Sequence, residues 1–162
     1  MATEDVERSL TRIAAETTIS SLLNVACEEL VTTLDAAGCS VSRTIGDLLV
    51  ELAQCMRVAD SLPLALYLVS DYPLTQEVIQ QGEPRVVSRA DPNADPAETE
   101  LLERLGFDSL LMLPLQSRDR WGLVEIYGDG REFDAAEIET ASSLVNGVGE
   151  LLAELESGVP RA

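Results

Sequence analysis

The sequence predicts an α+β fold, and three observations carry that prediction. The apolar period changes from helical to strand-like after Gly38, two pairs of strand-like runs are joined across turn residues, and the last third ends in a long segment with a heptad-like seam. Taken in order, residues 1–19 form an amphipathic N-terminal segment, with Val6, Leu10 and Ile13 on one helical face across 4–16. The stretch "TTIS" weakens helix propensity, and Ser20 or Ser21 is placed to cap a second helix that runs to about Ala36 and is closed by Gly38. Next, "CSVSRTI" and "LLVELAQCM" flank Gly46-Asp47, a two-residue hairpin turn. "PLALYLV", residues 63–69, reads as a third strand, Pro73 to Gln81 as a short helix stopped by Gly82, and "PRVVS" as a short strand.

The stretch "ADPNADPAETE" tests a metal reading. Asp91, Asn93 and Asp95 alternate as the first ligands of a calcium loop do, but the sixth place is Pro96 and the twelfth Leu102, where a Gly and a Glu are required. Proline fixes φ near −65° and cannot make that turn. A helix start explains more residues, with Asp95 as N-cap, Pro96 at the first helical position, Glu98 three residues on, and Gly106 as the stop. No metal site is expected. "FDSLLMLPLQS" and "WGLVEIYG" then form a second hairpin across residues 118–120, in nearly continuous apolar runs that suit strands covered on both faces.

The last helix starts at "REFDAAEIE", where Asp134 and Glu137 have capping-box spacing and Phe133 and Ile138 that of a hydrophobic staple. Ile138, Ala141, Val145, Val148, Leu152 and Leu155 are spaced three, four, three, four, three. That spacing is a seam for a second helix, while Leu144 and Leu151 lie off it and suit the sheet. With Val6, Leu10 and Ile13 it predicts a homodimer through the terminal helices. Residues 157–162 read as a tail or the beginning of a linker.

Composition narrows the chemistry. A chain of 162 residues with 46% hydrophobic residues is long enough for one domain with its own core. It has no His and no Lys, so every basic side chain is one of 11 Arg. Imidazole bases, His-ligated haem or zinc, Schiff bases and His-containing triads are excluded. Cys27, Cys39 and Cys55 form no C-x-x-C pair and read as reduced core thiols. A net charge of −18 disfavours nucleic acid and anionic membranes, and no apolar run reaches a membrane-spanning length. The acidic start, without a signal-peptide pattern, makes a cytoplasmic location the expectation. A non-enzymatic role follows from the missing catalytic residue types.

The stretches "YPLTQEVIQQGEPRVVSRAD", "LLERLGFDSLLMLPLQSRDRWGLVEIYG" and "REFDAAEIETASSLVNGVGELL" occur in the order and spacing of a GAF domain, a small-molecule sensing relative of the PAS fold. The resemblance covers residues 20–156. It implies a central antiparallel sheet of five or six strands, with the terminal helices on one face and short helices and loops enclosing a pocket on the other. It also implies a regulatory module that binds a small ligand and relays its state through the terminal helices, with a ligand-free dimerisation and relay module as the alternative. Haem-binding members use a His, bilin-binding members a Cys beside a His, and the free methionine sulfoxide reductase branch uses pocket-loop cysteines. This sequence has no His and no Cys after Cys55, so no cofactor is expected. The cyclic-nucleotide signature is echoed only by Phe133, Asp134 and Glu137, which capping already explains. Polar groups expected near the pocket are Tyr72, Thr75, Arg89, Asp91, Asp108 and Ser109, with Phe107, Met112 and Trp121 as apolar walls. Arg89 is suited to grip a carboxylate or phosphate in bidentate fashion, against the plainer reading of a surface Arg paired with a nearby Asp.

Overall fold

The computed structural model describes residues 2–57, 65–118 and 121–158. Two helices, α1 (Ala2–Ala14) and α2 (Ile19–Leu34), precede the hairpin of β1 (Gly38–Ile45) and β2 (Leu48–Met56). After β3 (Leu66–Leu68), a 3-10 turn at Val69–Asp71 leads into α3 (Pro73–Gln81). Then come β4 (Arg85–Ser88), α4 (Pro96–Leu105), the hairpin of β5 (Ser109–Leu115) and β6 (Gly122–Gly128), and the long α5 (Ala135–Ser157). The strands form one six-stranded sheet in the order β3-β2-β1-β6-β5-β4. Every pairing is antiparallel. The fold is α+β as the sequence predicts. The predicted strand at 63–69 and the turn at 118–120 lie partly outside the described residues; within them, β3 is Leu66–Leu68.

Local chemistry sets most boundaries. Gly46 has φ 61, the sign that the first central residue of a type II′ hairpin requires. Asp134 and Glu137 form the reciprocal capping box of α5. Two boundaries of α2 differ from the sequence reading. Its N-cap is Thr18, held extended and accepting from the Ser21 N–H at 3.1 Å, so Ser20 and Ser21 already lie inside the helix. Its C-cap is Asp35 in the left-handed region, whereas Gly38 opens β1 against Met56, whose Sδ would lie 2.3 Å from an added Cβ.

Strand alternation divides the interior into two cores. On one face Cys39, Val41, Leu111, Leu113, Val124 and Ile126 pack against α1, α2 and α5. On the other, Leu49, Leu110, Met112, Leu123 and Tyr127 pack with Val78 of α3 and Leu102 of α4. A bulge opposite Val41/Ser42 leaves Leu52 as the extra residue of β2, since Ala53 pairs with Val41 and Glu51 with Ser42. The extra residue reverses the alternation, so Ala53 faces the helices and Glu51 the opposite side.

The terminal helices correct one expectation. Ala141, Val145, Val148 and Leu152, the predicted intersubunit seam, are at most 2% exposed within a single chain. Ile138 and Leu155 are partly buried against the same core. Ile13 is fully buried and Leu10 packs partly into the core, while Val6 lines a shallow groove with Ala136 and Thr140. The two glycines of α5 show why one helix has two apolar faces. A Cβ at Gly147 would meet Leu10 Cδ2 of α1 at 2.5 Å, and one at Gly149 would meet the Gln116 carbonyl oxygen at 2.0 Å. The seam is therefore an internal packing face, and Glu139, Ser143, Asn146, Glu150 and Glu154 form the exposed side of α5.

Candidate functional site

On the sheet face away from the terminal helices, β6 presents Leu123, Glu125 and Tyr127 in alternation. Glu125 pairs with Ser40 of β1 across the ladder, and Leu49 of β2 pairs with Tyr67 of β3. The short helices α3 and α4 close over this surface. The 3-10 turn beside it is tied to the first hairpin, because Asp47 accepts from the Ser70 N–H at 3.1 Å and from the Ser70 hydroxyl at 2.6 Å.

Between these elements lies a small cavity lined by Leu49, Tyr67, Tyr72, Thr75, Glu98 and Glu125, among others. Its free interior is about 10 Å³, the room of about one water. Tyr67 and Tyr72 meet edge to face with ring centroids 5.6 Å apart, and Phe107 stacks on Tyr127 at 4.8 Å. Glu98 is 1% exposed; its Oε1 accepts the Thr75 hydroxyl at 2.5 Å, while Oε2 has no hydrogen-bond partner among the described residues. Thr75 Oγ1 also lies 3.5 Å from Met112 Sδ. The expected capping role of Glu98 is not what it performs. Asp95 caps α4 by accepting from the Ala97 N–H at 2.9 Å, and the Glu98 side chain turns inward.

The electrostatics follow from burial without cations. Desolvation pushes Glu125 up to about 8, the charges of Glu98 and Glu51 add to the shift, and a hydrogen bond from Tyr127 opposes it. Desolvation likewise raises Glu51 to about 7 against the hydrogen bond from Gln54. Glu98 is raised by burial, with the Thr75 hydroxyl opposing and Asp95 adding. Tyr67 rises to about 12, chiefly by burial and then by the charges of Glu125 and Glu51. Burial thus raises the carboxyls on this face, Glu51 to about 7 and Glu125 to about 8, with Glu98 raised as well.

Of the residues expected at the pocket, Tyr72 and Thr75 line this cavity, Met112 touches Thr75, and Phe107 stacks in the same core. The others lie elsewhere. Arg89 is exposed and pairs with Asp108 at 3.8 Å, and Asp108 also accepts from the Gly130 N–H at 2.6 Å. Asp91 is exposed and accepts from the Asn93 N–H at 2.9 Å, a local turn contact. Ser109 donates to the Arg131 carbonyl at 2.6 Å. Trp121 belongs to the helix-side core, donating its indole N–H to Glu156 at 2.7 Å under the Arg43 guanidinium. It also lines a separate depression of about 410 Å³ with Ile79, Pro114 and Gln116. Among the described residues no three acidic or thiol side chains converge as a metal site. Sequence reasoning missed Glu125, Glu51 and Tyr67. A lone carboxylate inside an apolar strand run, as in "GLVEIYG" and "LLVELAQCM", was the available signal.

The GAF domain family matches residues 18–152, and the chain belongs to that family. Among solved structures, it superposes on the phycocyanobilin-bound GAF domain of a cyanobacterial phytochrome with TM-score 0.83 at 18% identity, covering 98% of this chain and 97% of that one. It also resembles the bacteriophytochrome RpBphP3 of R. palustris, with TM-score 0.82 at 12% identity over 96% of this chain. The chain spans 38% of that bacteriophytochrome and 61% of its chromophore-binding domain, to which it is 13% identical with TM-score 0.81 and 96% of this chain covered. These likenesses establish the fold. No curated protein matches the sequence significantly. Among the described residues no helix is long and apolar enough to cross a membrane.

Proposed function

We propose that the chain is a regulatory sensory module that takes a small ligand between the sheet, α3 and α4 and relays its state through the terminal helices. In this reading it binds and does not catalyse. The observation that carries the proposal is Glu98 Oε2, a carboxylate oxygen buried without a partner at the wall of a cavity. An unsatisfied buried polar atom is expensive, and a ligand that donates to it relieves that expense. Family membership supports the reading, as do neighbours whose GAF domains carry bound bilins. The residues here do not fit a covalently held bilin: Cys27, Cys39 and Cys55 all pack on the helix-side core, away from the cavity. For relay, β6 supplies a direct connection, since Glu125 faces the cavity while its neighbours Val124 and Ile126 pack with α5 in the other core.

A second reading, a dimerisation and relay module without a ligand, is favoured by the small free volume of the cavity. Mass spectrometry of small molecules released by denaturing the purified protein separates the two. A stoichiometric compound supports the sensory reading. Its absence, together with unchanged amide spectra for Thr75 and Glu98 across a metabolite library, refutes it. Light scattering reports the oligomeric state independently.

A further inference from the structure

We propose that the cavity between α3, α4 and the sheet binds the ammonium head of a primary amine. The inference rests on the ligand-binding reading above and names the chemistry of the ligand. One polar atom at the cavity is unsatisfied, and the polar groups around it can accept hydrogen bonds. Glu98 Oε2 is without a partner, the Glu125 carboxyl stands across the lining, and Thr75 Oγ1 has committed its hydrogen to Glu98 and keeps lone pairs. No basic side chain is among the described lining residues, and the chain has no Lys or His to contribute. A carboxylate or phosphate would therefore find no cation among the described lining residues, and would meet like charge wherever one of these carboxyls is ionised. A neutral hydroxyl offers one donor, whereas an ammonium offers three and a compensating charge.

Size and surroundings agree with this assignment. A free interior of about 10 Å³ admits one small polar centre, and an ammonium group is about as large as a water. The rings of Tyr67 and Tyr72 line the same space and can add cation–π attraction. Leu68, 46% exposed, stands at the rim and offers an apolar route for the carbon chain of the ligand. A bare metal ion is a poorer occupant, since no three acidic or thiol groups converge among the described residues.

Binding is coupled to protons. The groups bearing on the head are Glu98 from α4, Glu125 and Tyr127 from β6, Glu51 from β2, Tyr67 from β3 and Tyr72 before α3. Asp95 and Arg104 of α4 act from further off. Where burial keeps a carboxyl protonated, the incoming ammonium displaces that proton. Affinity then rises by up to about tenfold per pH unit while that carboxyl is still protonated in the free protein, for Glu125 up to about pH 8, for one proton released.

The test titrates the full chain with n-propylammonium chloride, and with 1-propanol, tetramethylammonium chloride and potassium chloride at matched concentrations. Melting temperature and the amide signals of Tyr72, Thr75 and Glu98 are followed at several pH values. The expected result is saturable binding of propylammonium alone, tightening as pH rises, and weakened at least about tenfold in Glu98→Gln. Glu150→Gln, on the exposed side of α5, should leave it unchanged. Equal responses to tetramethylammonium or potassium would show ionic screening only and overturn the assignment, as would binding independent of pH. The wild-type pH series decides the matter even if Glu98→Gln does not fold. A neutral or anionic compound released from the denatured protein, with propylammonium silent, overturns the ammonium assignment and leaves the ligand-binding reading standing. Silence towards every probe with no released compound overturns both.

Discussion

Thr75 donates its hydroxyl hydrogen to Glu98 across 2.5 Å, joining α3 to α4 on the side of the sheet away from the terminal helices. Both residues are at most 5% exposed, so the bond stands in a medium that screens it weakly. Thr75→Val keeps the shape and removes the donor, leaving both Glu98 oxygens without partners. Urea unfolding should show a loss of ~1–3 kcal/mol. Thr75→Ser should restore most of it, and adding Glu98→Gln to Thr75→Val should recover part, because the orphaned group is then neutral. A loss in Thr75→Val equal to that of an exposed Thr, such as Thr11, would mean that the bond does not join the helices.

Stability should fall as pH rises through the neutral range. A carboxyl that is 4.5 in the unfolded chain and about 8 at Glu125 binds its proton more tightly in the folded state. Its contribution is complete below 4.5 and is lost as pH rises through about 8. Glu51 makes a smaller contribution of the same sign, lost as pH rises through about 7. Glu125→Gln cannot ionise, so its melting temperature relative to the unmutated protein should climb steadily across that window and level off above it. A constant difference from acid to mild alkali would show that folding leaves the titration of Glu125 where it is in the unfolded chain.

The fold was legible because its signals are local. Gly46, Asp95, Gly106 and the Asp134 box each set a turn or a cap by their own chemistry, whatever the rest of the chain does. The site was less legible because it depends on register and on competing uses of one residue. Glu98 satisfies a capping rule at its position in the chain, and that explanation conceals its inward turn toward Thr75. Glu51 shares the face of Leu49, and the bulge at Leu52 turns Ala53 to the helices instead, so alternation carried across the whole of β2 misassigns one end of it. Trp121 stands one residue before β6, where alternation does not yet assign a face, and Glu156 draws its indole to the helix side. The 3-4 spacing of α5 marks an apolar face but does not say whether its partner is another chain or the same one.

Charges placed in that seam should unfold the protein. Val148→Glu with Leu152→Glu puts two carboxylates where exposure is 2% or less, among Leu23, Leu30 and Leu113. Burying a charge without a partner costs several kcal/mol, comparable to the stability of a whole domain. Circular dichroism and proteolysis should report loss of the folded state. A folded monomer from this double substitution would place the seam at an intersubunit surface after all.

The two glycines of α5 should respond oppositely to alanine. Both lie inside a helix, where Gly→Ala favours helix formation by roughly 1 kcal/mol. At Gly147 the new methyl meets Leu10 Cδ2 at 2.5 Å and Cδ1 at 2.6 Å, the free ends of a half-buried side chain on α1. Leu10 can rotate away, so the propensity gain and the displacement nearly cancel. At Gly149 the methyl meets the Gln116 carbonyl oxygen at 2.0 Å and its carbon at 3.2 Å, and these belong to backbone at the end of β5. Relief there requires α5 to move away from the sheet, which opens the core around Leu152 and Leu115. Gly149→Ala should therefore destabilise by ~2–4 kcal/mol, in the range of strained core substitutions, while Gly147→Ala stays within about 1 kcal/mol of the unmutated protein. Paired thermal melts decide it, and equal effects at the two sites would mean that α5 does not pass as close to β5 as Gly149 requires.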